Sequence, residues 1–127
     1  MSELVAMMPL AGLLGIEVES AAGDEVRGSL DWAPELCTAG GLLHGAALMA
    51  LADSLGAICA FLNLPEGATT ATIESKTNFF RGIRHGRVTA VSRPLHVGRT
   101  SIVVETELTD SDGRSVALVI QTQAVLL

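Results

Sequence analysis

The sequence has few cysteines and few basic residues. Its 127 residues include two cysteines, Cys37 and Cys59, and eight lysines and arginines against fourteen aspartates and glutamates. Two cysteines cannot build a disulfide framework, and no Cys or Cys/His spacing suits zinc, so we expect no metal site. The net charge of −6 argues against non-specific binding to nucleic acid. The scarcity of cysteine also favours a reducing, cytoplasmic compartment.

Signals for export, disorder and a second domain are missing as well. Glu3 stands where a secretory signal would carry a basic residue, so we expect no export signal. A hydrophobic fraction of 49% excludes a disordered chain. No repeat, low-complexity stretch or linker divides the sequence, and its length suits one domain over residues 1–127.

One acid interrupts a long apolar stretch. Between Leu42 and Leu64 the chain reads LLHGAALMALADSLGAICAFLNL, and Asp53 is the only residue there that is charged at neutral pH. No Lys or Arg lies within twenty residues of Asp53 on either side. Because burying an unpaired carboxylate is costly, a functional acid is one interpretation. The alternative is a carboxylate that reaches the surface on a solvated stripe.

The same stretch is long enough to raise the question of a membrane span. Much of its apolarity comes from Ala and Gly, Asp53 lies near its centre, and no basic residue flanks it. A charged group at that depth opposes insertion, so we expect a core helix and no membrane partner.

Hydrophobic periodicity predicts an α+β fold. A short helix capped by Ser2 runs to about Ala11, and a long helix fills the apolar stretch to about Leu62. Strands are predicted over residues 16–19, 25–32, 68–80, 87–96, 102–108 and 115–125. Antiparallel strands grouped around one helix would explain a helix that is apolar on all sides: a curved sheet wraps around it.

Basic residues concentrate in one window of an acidic chain. Residues 76–99 hold six of the eight lysines and arginines and no acid. Such a strip suits a small polyanion, for example the phosphates of a nucleotide-like group, which Arg binds in bidentate fashion. The alternative is a set of solvated charges that protect strand edges from aggregation.

Three phrases of the sequence resemble one known family. They are His44-Gly45-Ala46 followed by Leu51-Ala52-Asp53-Ser54, then KTNFFR over residues 76–81, and HVGRT over residues 96–100. With the order of elements, they resemble the hotdog-fold acyl-CoA thioesterases, in particular the PaaI type with its phenylacetate-pathway and 4-hydroxybenzoyl-CoA members. The sequence departs from the family pattern at Ala46, where many members have Gly, and at Thr38, where relatives often carry Asn or Gln.

The resemblance implies hydrolysis of an aryl-, short- or medium-chain acyl-CoA, with no cofactor because CoA is part of the substrate. Asp53 would act as nucleophile or general base, and the Gly45 N–H would donate to the thioester oxygen. His44 would orient the acyl group, or else only cap the helix. Further expected substrate contacts are Thr38, Thr72, Arg81, Arg84 and Arg99. A non-catalytic acyl-CoA-binding hotdog domain is the alternative function.

Helix geometry adds a constraint on assembly. Gly45 and Asp53 are eight residues apart, which is about 12 Å along an α-helix, so they cannot both touch one thioester carbon from the same protomer. Two helices packed antiparallel across a two-fold axis would bring them together, as in the family. We therefore expect a site shared between subunits, with a homodimer as the minimum and a homotetramer as the assembly that such relatives form.

Overall fold

The structure, a computed structural model, describes residues 2–127 apart from the side chain of Ser2. The described chain has helices at Ser2–Ala6 (α1), Pro9–Leu14 (α2) and Gly45–Phe61 (α3). Its strands are Glu17–Ala22 (β1), Glu25–Asp31 (β2), Thr69–Phe79 (β3), Arg87–Val97 (β4), Ser101–Thr109 (β5) and Ser115–Leu126 (β6). The predicted α+β class and the order of strands around the long helix are confirmed.

The six strands form a single antiparallel sheet in the order β1-β2-β4-β5-β6-β3. Helix α3 contacts all six of them. A flat sheet of six strands spaced about 4.8 Å apart is roughly twice as wide as one helix, so contact with every strand requires the sheet to curve around α3. The expected curved sheet around one helix is therefore confirmed.

The side of α3 that faces the sheet forms the centre of the core. Leu48, Leu51 and Leu55 are 0–3% exposed, and burying each such side chain contributes about 1.5–3 kcal/mol. Close packing requires Gly28 on β2, because a Cβ there would lie 2.9 Å from Leu55 Cδ2 and 2.5 Å from the Glu17 carbonyl oxygen. No helix within residues 2–127 is both long and apolar enough to cross a membrane.

The prediction of one N-terminal helix reaching Ala11 is wrong. Met8 has the non-helical angles φ −124° and ψ 86°, and α2 starts at the following Pro9. A proline disfavours helical angles in the residue before it but fits the first turn of a new helix. α2 then ends at Leu14, and the next residue, Gly15, caps it with φ 79°. The predicted cap by Ser2 lies outside the described side chains.

The expectation that the sheet covers α3 on all sides is also wrong. Ala46, Met49, Asp53 and Phe61 are exposed in the protomer and Ala57 is half-buried. Their spacing of three and four residues puts them on one side of the helix. We call these five residues the exposed stripe. Asp53, which was expected to be buried, is the only charged member of a strip that is otherwise apolar.

Strand β3 is a second incompletely covered element. It lies at the edge of the sheet and pairs only with β6. Most of its residues are exposed, and large apolar side chains at and after it, Ile73 and Phe80, are 66% and 58% exposed. An edge with unpaired backbone groups and exposed apolar side chains is a surface on which a further strand can pair.

Candidate active site

His44 forms the N-cap of α3. Its Nδ1 accepts a hydrogen bond from the Ala46 N–H at 3.1 Å, and its own backbone N–H donates to the Leu36 carbonyl at 2.9 Å. With Nδ1 accepting, the proton of the neutral ring is on Nε2. The helix-capping alternative for His44 is thus the observed geometry, and a role of Nε2 toward an acyl group stays a prediction.

Gly45 is the first residue of α3, and its N–H donates to no acceptor in the described part of the chain. The first amides of a helix have no partner within it, and the helix dipole favours negative charge beside them. The ring of Phe79 lies over this position, since a Cβ on Gly45 would be 3.1 Å from Phe79 Cζ. The arrangement can receive a developing oxyanion.

The loop before His44 is held by side chains from neighbouring elements. Trp32 Nε1 donates to the Gly41 carbonyl and Arg84 Nη1 to the Gly40 carbonyl, each at 3.0 Å. Gly40 and Gly41 have φ of 79° and 75°, which favours glycine. Thr38 is exposed at the start of this loop, and its N–H donates to the Leu42 carbonyl at 2.8 Å.

Asp53 lies in the middle of α3 on the exposed stripe. No cation pairs with it among residues 2–127, and its hydrogen-bond partner is Gln121, whose Nε2 donates to Asp53 Oδ1 at 3.4 Å. Although the residue is exposed by surface area, the apolar groups around it desolvate the carboxyl and raise its pKa, while the hydrogen bond from Gln121 acts in the opposite direction. Both features suit a carboxylate that accepts a proton.

A buried polar network stands behind Asp53. Gln121 and Gln123 on β6 are 0% and 1% exposed, and Gln121 Nε2 donates to Gln123 Oε1 at 3.0 Å. Thr72 Oγ1 donates to the same oxygen at 2.6 Å, so the hydroxyl proton of Thr72 is committed to Gln123. Sequence reasoning missed both glutamines. Their signal is two amides at alternate positions of a strand, following the apolar residues Ala117 and Val119 at the same alternation.

The predicted phosphate-binding residues do not form one cluster within a protomer. Arg81 and Arg84 lie between β3 and β4, and Arg99 lies in the turn between β4 and β5. Because β4 has 11 residues and is about 33 Å long, the two groups stand at opposite ends of the sheet. All three side chains are exposed.

Two other arginines of the basic window are neutralised by acids on β2. Arg87 Nε is 2.8 Å from Asp31 Oδ1, and Arg93 Nη2 is 2.9 Å from Glu25 Oε2. These pairs are solvated charges, but their arginines lie on β4, which is an interior strand of the sheet and not an edge. The remaining four basic residues have no carboxylate partner within the described chain: Lys76, Arg81, Arg84 and Arg99.

Two apolar grooves border α3. The first, of about 300 Å³, lies at the start of the helix beside His44 and is lined mainly by Leu10, Leu14, Leu36, Ala47 and Ala50. The second, of about 200 Å³, lies toward the end of the helix and is lined by Leu4, Met7, Met8, Ala57, Ile58, Phe61 and Thr70. The first groove includes His44 and Ala46, which flank Gly45, and the second includes Ala57, one turn after Asp53.

The chain is similar in sequence to known proteins. Residues 40–117 match the model of the thioesterase superfamily. The 1,4-dihydroxy-2-naphthoyl-CoA hydrolase of Escherichia coli is 31% identical over 105 residues, covering 83% of this chain and 77% of the relative. The proofreading thioesterase EntH of Cronobacter turicensis is 33% identical over 101 residues, covering 80% and 74%.

The fold is also found in solved structures. A single-residue variant of thioesterase PA1618 from Pseudomonas aeruginosa has a TM-score of 0.92 at 34% identity, covering 98% of this chain and 92% of that one. The chain belongs to the thioesterase superfamily, and its fold is the hotdog fold expected from the resemblance. It is a thioester hydrolase, and the two relatives above are named a CoA-thioester hydrolase and a thioesterase.

The capping and chemical roles of His44 can be separated by two substitutions. His44→Ala removes the cap and should lower the free energy of unfolding by about 1 kcal/mol. His44→Asn supplies another capping oxygen, so we expect stability to recover while thioester hydrolysis stays reduced by about tenfold, since the imidazole Nε2–H is gone. Denaturant unfolding and steady-state kinetics measure the two quantities. Full recovery of activity in His44→Asn would reduce His44 to a helix cap.

Proposed function

We propose that this protein hydrolyses acyl-CoA thioesters with aryl, short- or medium-chain acyl groups, through Asp53 and the Gly45 amide. The observation that carries the proposal is the pairing on one helix of an N-terminal N–H with no acceptor and a lone, desolvated carboxylate. The name of the Escherichia coli relative includes a CoA thioester, which supports CoA as the thiol part of the substrate.

The two groups act across a two-fold axis. Eight residues along α3 separate them by about 12 Å, so the start of one helix must meet the middle of another. The exposed stripe and the edge strand β3 are the surfaces that a second copy would cover. Pairing β3 with its copy extends the sheet and buries the apolar stripe. A homodimer is therefore the smallest active unit, and dimers pair into a homotetramer.

Chemistry in the shared site follows from these groups. Asp53 of one protomer removes a proton from water as the water oxygen attacks the thioester carbon. The Gly45 N–H of the other protomer donates to the oxyanion that forms. The C–S bond then breaks, and the proton passes to the departing sulfur. The products are the free acid and CoA. In the alternative route, the Asp53 carboxylate attacks the thioester carbon and the C–S bond breaks, which releases the CoA thiolate and leaves an acyl–Asp53 anhydride. Water then hydrolyses the anhydride to the free acid and the Asp53 carboxylate, and a proton from that water passes to the thiolate.

The acyl group occupies the two apolar grooves. In a two-fold dimer, the 300 Å³ groove beside the Gly45 of one protomer adjoins the 200 Å³ groove beside the Asp53 of the other. Their linings are mostly Leu, Met, Ala and Phe, which suits a small apolar acyl group and gives no cation for a charged one. Substrate size is set by the side chains that meet there.

The same symmetry unites the phosphate-binding residues. Arg81 follows the end of β3. Arg99 lies near the start of β3, because the carbonyl of the next residue, Thr100, accepts a hydrogen bond from the Val125 N–H. The residue after Val125, Leu126, pairs with Thr69 at the start of β3. If β3 pairs antiparallel with its copy, Arg81 and Arg84 of one protomer come to the same edge as Arg99 of the other. Exposed guanidinium groups there would hold the CoA phosphates.

Replacement of the proposed base tests the function directly. Asp53→Asn should lower thioester hydrolysis by at least about 10²-fold, because neither general-base nor nucleophilic attack remains. Release of free thiol from aryl, short-chain and medium-chain acyl-CoAs measures it. Asp24→Asn in the β1–β2 turn removes the same charge and should leave the rate unchanged.

The pH dependence provides a second measure of Asp53. Its carboxyl pKa is raised by desolvation and the ionised form is the active one, so kcat/KM should fall as the pH drops through a value above the ordinary 3.9 or so for Asp. Hydrolysis by Asp53→Asn at the wild-type rate for every thioester would contradict the assignment. Tight acyl-CoA binding without turnover by the wild type would favour a non-catalytic binding domain.

Mixing two inactive variants tests the shared site. Gly45→Pro removes the N–H while suiting the first helical position, and the preceding His44 has the extended angles that a proline requires. Loss of this donor should lower kcat by about 10²–10³-fold. When Gly45→Pro and Asp53→Asn subunits are refolded together, half the dimers are mixed and each has one intact site, so about a quarter of wild-type activity should return.

Gly45→Ala is the control for this experiment, since it adds a Cβ near Phe79 but keeps the N–H. It should retain far more activity than Gly45→Pro. If the mixture stays as inactive as its components while sedimentation shows mixed dimers, each site lies within one protomer and the two-fold arrangement is wrong.

Arg99 is the cleanest test of phosphate binding, because it has no acidic partner in the described chain. Arg99→Ala should raise KM for acyl-CoA by up to about tenfold and leave kcat nearly unchanged, as expected for lost uniform binding through an exposed contact. With a truncated pantetheine thioester the effect should shrink. Arg93→Ala, whose guanidinium already pairs with Glu25, is the matched control and should not alter KM. Equal losses with both substrates would make Arg99 a structural residue.

A further inference from the structure

Gln121 occupies a costly position for a polar side chain. It is completely buried on β6, and its Oε1 has no hydrogen-bond partner among the described residues. The neighbouring inward positions on the same strand, Ala117 and Val119, are apolar and buried. An apolar residue would avoid the unpaired acceptor, so packing alone does not account for an amide at Gln121.

The amide of Gln121 has one orientation. Its Nε2 donates to Asp53 Oδ1 at 3.4 Å and to Gln123 Oε1 at 3.0 Å. Both of these atoms are acceptors, and an ionised carboxylate can only accept. A rotated Gln121 amide would therefore point its oxygen at two other oxygens. The side chain must direct its NH₂ group toward Asp53.

Gln123 is in turn fixed by two threonines of β3. Its Oε1 accepts from Thr72 Oγ1 at 2.6 Å, and its Nε2 donates to Thr70 Oγ1 at 3.1 Å. Thr70 then donates to the Ala124 carbonyl at 2.8 Å. Each of these hydrogen-bond donors has an acceptor. The threonines of the edge strand β3 therefore fix the amide of Gln123, which in turn fixes the amide of Gln121.

Gly56 completes the arrangement from the helix side. It lies on α3 one turn after Asp53, and a Cβ there would overlap Gln121 Oε1. The absence of a side chain at Gly56 lets the amide reach the helix surface beside the carboxylate. Helix α3, strand β6 and the edge strand β3 thus each contribute residues that hold the Gln121 amide beside Asp53.

We propose that Gln121 is the positioning residue of the Asp53 carboxylate, and that Gln123, Thr72 and Thr70 orient it. The hydrogen bond holds one carboxylate oxygen toward the sheet and leaves the other to face the substrate. A neutral donor supplies this contact without a counter-charge, so the carboxylate keeps its strength as a base. An Arg or Lys in the same place would stabilise the ionised form far more strongly.

The role of Gln121 rests on the proposed function of Asp53, so both are tested together. Gln121→Met keeps length and volume while removing donor and acceptor. We expect kcat to fall about tenfold with little change in KM. The acid limb of the pH profile, where kcat/KM falls as Asp53 is protonated, should move to higher pH, because loss of the hydrogen bond that lowers the pKa of Asp53 raises that pKa. Melting temperature should not fall, since an unpaired buried acceptor is removed.

Two further variants give the design its control. Gln123→Met leaves Gln121 in place but removes its orienting acceptor, and should shift the acid limb in the same direction by less. Thr106→Val breaks the buried Ser92–Thr106 hydrogen bond of 2.6 Å elsewhere in the sheet, and should lower stability without moving the limb.

The outcomes separate the two ideas. If Asp53→Asn is inactive while Gln121→Met and Gln123→Met keep the wild-type kcat and acid limb, the positioning role is overturned and the proposed function stands. If Asp53→Asn is as active as the wild type, the proposed function itself falls, and the positioning role with it. A shifted limb in both glutamine variants but not in Thr106→Val supports the inference.

Discussion

The rigidity of α3 is the constraint on which the rest of the structure depends. An α-helix fixes the distance between its first amide and its third turn, so Gly45 and Asp53 cannot approach each other within one protomer. In the proposed function, a bound thioester is therefore reached from two helices. The protomer leaves apolar surface uncovered on the side of α3 that carries Asp53 and along β3, and the proposed dimer would cover those surfaces.

Close packing around α3 also explains two residues that would otherwise weaken the fold. Gly56 lies in the middle of a helix, where glycine costs about 1 kcal/mol relative to alanine, and Gln121 keeps a buried acceptor without a partner, which costs about 1–3 kcal/mol. Each cost is understandable only with the other, because the missing side chain of Gly56 makes room for the amide that reaches Asp53. Both residues lower the stability of the fold, and together they allow the contact between Gln121 and the Asp53 carboxylate.

Local signals in the sequence were sufficient for most of the architecture. The boundaries of α3 and of the six strands follow from Gly and Pro positions and from alternation, and the strands lie within a few residues of their predicted ends. The break at Pro9 was missed because the apolar spacing of residues 4–11 continues through it. The prediction that Asp53 is buried in the protomer was wrong for a different reason. Composition shows that α3 is apolar on all sides, but it does not show whether a given side is covered by the sheet of the same protomer or by another subunit.

The glutamine network lies further beyond sequence reasoning. Asp53 and Gln121 are 68 residues apart in the chain, and their contact exists because α3 packs on β6. The contacts of Gln123 with Thr70 and Thr72 exist because β6 lies beside β3 in the sheet order. The irregularity in β3–β6 pairing between Thr72 and Glu74 further changes which residues of β3 face inward. Alternation alone gives the wrong partner for any residue beyond such a bulge.

The distribution of charge is compatible with a negatively charged base, Asp53, acting on the proposed polyanionic substrate, acyl-CoA. Asp31 and Glu25 neutralise Arg87 and Arg93 of β4, so the arginines of the basic window without an acidic partner in the described chain are Arg81, Arg84 and Arg99. No cation of the described chain pairs with Asp53, whose pKa stays raised. If the substrate is the proposed acyl-CoA, its long pantetheine arm would separate the phosphates from the thioester. The positive charge that holds the nucleotide would then have little effect on the Asp53 carboxylate.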